Sequence, residues 1–167
     1  EQSTQEQPGA AMHNALVSDK QVAETRTRLR WWRVVLPLAL LVVFGSWAVT
    51  SPVGSSPDDD YHLSSIWCAG GERSGVCEVV EGEPEALLVP QSVGFAHECF
   101  AFQAAVTAAC TESLTNTLVR TERVNSLKGW YPSGFYRVMN VFVGDDPQRS
   151  VPVMRMVNAI VFVALLS

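Results

Sequence analysis

At 167 residues, with a formal charge of −5, the chain is long enough for one modest domain and too acidic to suit a nucleic-acid partner. Its 47% hydrophobic content is concentrated in two blocks, Val34 to Val49 and Val151 to Ser167, which excludes an evenly patterned soluble domain. Charge is uneven too: Lys20, Arg26, Arg28, Arg30 and Arg33 precede the first block, while most of the acids lie between the two. The chain begins at Glu1 rather than Met and ends within an apolar run, so a fragment of a longer frame is expected.

Residues 1–30 are expected to form a disordered tail, rich in Gln, Glu, Ser, Thr and Ala up to about Thr25. From Arg26 a basic and aromatic collar that includes Trp31 and Trp32 leads into the first block. A hydrocarbon core of about 30 Å needs roughly 20 helical residues, so a membrane helix is predicted over 31–53. Pro37 falls in its first turn, where a missing N–H costs little. The arginines before the helix place the tail in the cytoplasm and the following segment outside. A cleaved signal peptide is the competing reading, with an unusually long leader and a second apolar block against it.

The segment 54–150 is then an extracytoplasmic domain. It holds all four cysteines, Cys68, Cys77, Cys99 and Cys110, which suggests two disulfides in an oxidising compartment. The glycine-rich stretch after Cys68 favours Cys68 with Cys77, leaving Cys99 with Cys110. One continuous helix from 99 to 110 would hold those sulfurs about 16 Å apart, so a break between them is part of the expectation. A zinc site is the alternative, against which stands the lack of a Cys-x-x-Cys spacing. Glu78 to Pro90 reads as short extended pieces separated by turns, and Thr111 to Leu127 as a polar segment with a short helix.

After Pro132, the residues Phe135, Val138, Met139, Phe142 and Val143 recur with the period of a one-faced helix, ended by Gly144 and Asp145. Such a helix suits either the bilayer interface or the domain core. The block 151–167 begins a second membrane helix, in which Arg155 either snorkels to the headgroups or binds an anion such as a lipid phosphate. The expected fold class is a mainly α membrane protein: transmembrane helices flank a disulfide-bearing extracytoplasmic loop domain with a juxtamembrane amphipathic helix. The location is the cell membrane, multi-pass, with the lipid bilayer as one partner.

The residues that stand out for chemistry are Asp58, Asp59, Asp60 and His62, just beyond the first helix. Three carboxylates after Pro57 are a solvated, capping turn on the plain reading and a site on the sharper one. The order of motifs bears on the choice. Pro57 to His62 follows the first helix, Tyr131 to Tyr136 precedes the amphipathic stretch, and Met154 to Ala159 opens the second block. This order resembles the N-terminal part of a bacterial family of multi-spanning membrane proteins of unknown function, itself similar to GT-C glycosyltransferases. That family shows Pro-Asp-Glu-x-x-His, Tyr-Pro-Pro-x-Tyr-Tyr and an Arg-Leu-x-Ser-like start to its second helix. Asp59 stands here for the Glu, Asp60 where a Pro is common, and Ser133 for the second Pro.

The resemblance implies a transferase that takes sugar from a polyprenyl-phosphate donor at the outer membrane face, in cell-envelope glycan assembly. Asp58, with Asp59 next, would serve as the base that takes the acceptor hydroxyl proton. His62 and Tyr131 would bind substrate, and Arg155 would hold the donor phosphate. No cofactor is certain on this reading: some GT-C enzymes use a divalent cation and others do not, and Asp58 to Asp60 with His62 would permit one. Two further readings stand beside it: a non-catalytic membrane protein whose outer domain binds a partner or envelope polymer, and an inactive truncated remnant.

Overall fold

The computed structural model describes residues 30–167. The tail expected over 1–30 lies outside the described residues, Arg30 apart. Two helices are long and apolar enough to cross a membrane: α1, Arg30–Thr50, and α6, Pro147–Leu166. At 1.5 Å per residue the 21 residues of α1 span about 31 Å, the depth of a hydrocarbon core. Trp31, Leu38, Val42 and Trp47 are exposed along it, an arrangement costly in water and favourable in lipid. α1 stops at Thr50 because Pro52 supplies no N–H and Gly54 takes a positive φ of 81°. α6 starts ahead of Val151 because the Asp146 side chain accepts the Gln148 N–H at 2.9 Å and Pro147 suits a first helical position.

The chain divides into two compact units. One comprises the described residues up to Val43 together with Ile160–Ser167, and it is helical up to Leu166. The other, Phe44–Ala159, holds everything between the spans and the facing ends of both long helices.

Its central element is α2, Asp59–Cys68. Tyr61, Leu63, Ser64, Ser65, Ile66, Trp67 and Cys68 are all buried, so α2 has almost no solvent face. It is packed on by α3 (Gln91–Gly94), α4 (Asn125–Lys128) and α5 (Gly134–Asn140). The main core joins Leu63, Ile66 and Trp67 of α2 to Val53, Val93, Ala96, Tyr136, Met139, Val151 and Met154. Gly45 of α1 leaves room for Met156 of α6, whose methyl carbon would lie 3.3 Å from a Cβ placed there.

A three-stranded antiparallel sheet covers one end of α2, in the order β1 (Glu78–Val80), β2 (Glu83–Pro90), β3 (Leu118–Thr121). Gly82, at φ 81°, makes the turn between β1 and β2. The short helix expected within 111–127 is displaced. The stretch forms the end of a 3-10 helix, Ala108–Ser113, then β3, then the one-turn α4. Val119 and Thr121 are β-branched, and β2 offers Leu118–Thr121 an edge to pair with, so strand wins.

Disulfides join Cys68 to Cys77 and Cys99 to Cys110. The 3-10 helices Ala96–Cys99 and Ala108–Ser113 are separated by irregular chain, which lets the second pair approach to a Cα separation of 6.0 Å. The amphipathic stripe is shorter than its spacing implied. α5 ends at Asn140, leaving Phe142 and Val143 beyond it, and the face it buries is Tyr136 and Met139. Phe135, Val138 and Val141 are exposed.

Candidate functional site: an acidic turn clasped by two arginines beside an aromatic platform

The site starts from one backbone choice. Asp58 sits in the left-handed region at φ 59°, which Asp tolerates better than most residues, and its carbonyl accepts the N–H groups of Tyr61 and His62 at 3.0 and 2.9 Å. That starts α2, with Asp59 and Asp60 in the first turn where the helix dipole favours negative charge. Successive residues on a helix point about 100° apart. Asp59 therefore faces a different partner from Asp58 and Asp60.

Asp59 faces α6. Its Oδ2 accepts the Ser56 N–H at 3.1 Å and Arg155 Nη2 at 3.3 Å. Arg155 also donates Nη1 to Ser51 O at 2.6 Å and Nη2 to Pro52 O at 3.2 Å, and its guanidinium lies 5.5 Å from the centre of the Trp47 ring. The side chains of Arg155 and Asp59 are only 10% and 15% exposed. Burial raises the Asp59 pKa above the ordinary carboxylate value; the Ser56 N–H and Arg155 oppose the rise without cancelling it.

Asp58 and Asp60 face Arg123, from the link between β3 and α4. Arg123 Nη2 donates to Asp58 Oδ1 at 3.0 Å, and its Nε donates to Asp60 Oδ2. The same guanidinium lies 5.9 Å from the Tyr61 ring centre. Arg123 and Asp58 are about half exposed or more, whereas Asp60 is enclosed nearly as well as Asp59.

On the next part of α2, Tyr61 and His62 anchor an aromatic group. Buried Tyr61 donates its hydroxyl to Asn125 Oδ1 at 2.8 Å, and burial holds that phenol above its usual pKa. Asn125 is the hub: its backbone N–H donates to Ser65 Oγ, its Nδ2 donates to Tyr131 O, and its Oδ1 accepts the Tyr131 N–H at 2.9 Å. The Trp130 ring consequently lies parallel to Tyr61, 5.2 Å between centroids at 12°. His62 Nδ1 shares a 3.0 Å hydrogen bond with Tyr136 Oη, and the His62 ring lies 5.3 Å from that of Tyr131. Trp130 is 64% exposed and Tyr131 50%, though both are fixed from below.

A family model described as Predicted membrane protein (DUF2142) matches residues 41–167. The chain belongs to this family. No curated protein and no solved structure matches it. Membership of DUF2142 and the two apolar helices agree on membrane association.

Within this DUF2142 segment the residues singled out from the sequence separate into two groups. Asp59 and Arg155 meet directly, and two backbone carbonyls also accept from Arg155. His62 and Tyr131 fall in the aromatic group, and Asp58 lies between the two groups, held by Arg123. Among the described residues no three His, Cys, Asp or Glu side chains converge as a metal would require. The aspartates are splayed around the start of α2 and turned to arginines. Sequence reasoning missed Arg123, Asn125 and Tyr136. Arg123 and Asn125 carry no local motif, and their roles depend on a fold that brings them 63 and 64 residues back to α2.

Proposed function

We propose that this segment is a membrane-anchored outer module that recognises a glycan of the cell envelope, with Trp130 and Tyr131 as the contact surface. The observation that carries the reading is the parallel Trp130–Tyr61 stack beneath an open Trp130 face. An aromatic ring held rigid yet exposed loses little conformational entropy on binding and offers an apolar plane to a pyranose ring. The paired charges of Asp58, Asp60 and Arg123 beside Tyr61 supply both acceptors and donors for sugar hydroxyls. The module faces outward, the tail before α1 lies in the cytoplasm, and α1 and α6 are two spans of a multi-pass protein. The arginines ahead of α1 and two disulfides between the spans support this orientation.

The experiment is a titration of the protein in nanodiscs with soluble wall oligosaccharides, followed by tryptophan fluorescence. Saturable binding that Trp130→Ala abolishes and Asp59→Asn preserves supports a recognition module. Binding that ignores Trp130→Ala refutes it.

A second reading has one observation in its favour: burial makes Asp59 a stronger base than an ordinary aspartate, next to a cation at the end of a membrane span. On this reading the segment belongs to a GT-C-like glycosyltransferase acting on a polyprenyl-phosphate sugar. Asp59, or Asp58, would take the acceptor proton once the donor phosphate draws Arg155 away. Loss of sugar transfer in membranes bearing Asp59→Asn, with oligosaccharide binding intact, would favour it over the first.

A further inference from the structure

The chain between Cys99 and Cys110 exposes apolar side chains. From Cys99 to Thr111 it carries no Asp, Glu, Lys or Arg, and it includes Phe100, Phe102 and Val106. Ala104, Ala105 and Val106 are exposed, and the Phe102 side chain is fully so. Phe102 also takes φ 61°, a conformation that costs a bulky L residue about 1–2 kcal/mol. A strained backbone that turns a phenylalanine away from every protein contact is unexplained by packing within this unit. The disulfide between Cys99 and Cys110 holds the projection as a closed loop.

Position supplies the occupant. The 3-10 helix that leads into the loop, Ala96–Cys99, rests on the chain just past α1. A Cβ at Gly54 would lie 2.8 Å from His97 N and 2.9 Å from Ala96 Cβ, so the two backbones touch. Gly54 follows the end of α1 at Thr50 by four residues, which span at most about 14 Å. The neighbouring Ser51 and Pro52 carbonyls are held by Arg155 of α6, so this is the place where both long helices meet the outer unit. We infer that the Cys99–Cys110 loop is an interfacial foot, with Phe102 inserted among the acyl chains and its uncharged neighbours at the headgroup level. Water would leave Phe102 both strained and solvated; lipid compensates the strain by taking up its ring. The foot would fix the height of the Trp130 platform above the bilayer, whatever that platform binds.

The test is photolabelling of the full chain in phosphatidylethanolamine–phosphatidylglycerol vesicles that carry a diazirine on the acyl chain, with labelled peptides mapped by mass spectrometry. Lipid adducts are expected on α1 and on the 99–110 loop and not on the β1–β2 hairpin. In Phe102→Ser, loop labelling should fall to the hairpin level while α1 labelling and both disulfides persist; Val106→Ser should give a partial loss. A loop that stays unlabelled while α1 is labelled overturns the inference. So does a loop that cross-links to protein instead of lipid, which would assign it to another chain or to a second copy.

Discussion

Replacing Arg155 with Met keeps the bulk of the side chain and removes the charge that joins α6 to the acidic turn. At 3.3 Å and an effective dielectric of 20 the gross attraction to Asp59 is about 5 kcal/mol, most of it offset by desolvation. The variant loses more than the net worth of the pair. It leaves Asp59 buried without its cation and the Ser51 carbonyl without its Arg155 donor, while the Pro52 carbonyl keeps only the Ser55 N–H. Removing one partner of a buried pair costs about 3–5 kcal/mol, and the slight exposure here brings the expectation to about 2–4 kcal/mol.

The cost should depend on pH, in a direction the geometry sets. The folded-state pKa of Asp59 is raised above its ordinary value of 3.8, so the native state holds that proton more tightly than the unfolded state. Stability from this group is therefore fullest in acid and falls as pH rises from about 3.8 through the raised native value. Without Arg155 the native value rises further and the window widens upward. The deficit of Arg155→Met should thus be largest near neutrality and shrink as the solution is acidified. Urea unfolding of the protein in micelles, followed by tryptophan fluorescence between acid and neutral pH, measures it. Asp59→Asn in the same background should recover part of the loss, with a coupling of about 1–3 kcal/mol in the double-mutant cycle. A deficit that is independent of pH, or strictly additive variants, would refute the view that the pair is a buried, coupled clasp.

Arg123→Ala should behave differently, since the Arg123 side chain is about half exposed: a stability change of about 0–1 kcal/mol, with a loss of oligosaccharide affinity read by titration. Asn125→Ala strands the buried Tyr61 hydroxyl and releases the Tyr131 backbone, so a loss of about 1–3 kcal/mol in urea unfolding should accompany faster hydrogen exchange at Tyr131. Gly54→Ala combines a positive φ with a 2.8 Å clash against His97 N and should cost more than about 1 kcal/mol by the same unfolding assay.

What could be read in advance was whatever depends on local pattern. The two long helices are largely apolar runs of membrane length, and the mainly α framework with a disulfide-bearing insert follows from them and from the cysteine distribution. Extended chain at 78–90 was likewise visible from its Gly and Pro punctuation. The strand at Leu118–Thr121 was not, because its conformation is decided by the edge of β2, far off in sequence. The amphipathic stripe was read too long because periodicity does not reveal where a helix ends. At the site, the acidic turn was legible as a cluster, while the way it is divided between Arg155 and Arg123 required the tertiary fold. Arg155 was legible as a cation at the start of the second apolar block, while its partners Ser51, Pro52 and Asp59 required the tertiary fold.

The proposal of glycan recognition stands or falls on Trp130. Its most direct test is the indole N–H resonances of the nanodisc-bound protein, recorded while wall oligosaccharide is added and with Trp130 assigned from Trp130→Phe. A saturable shift of the Trp130 signal, with Trp47 and Trp67 unmoved, is the predicted result. A Trp130 signal that stays fixed at saturating oligosaccharide, or indoles that all shift together without saturation, would contradict it.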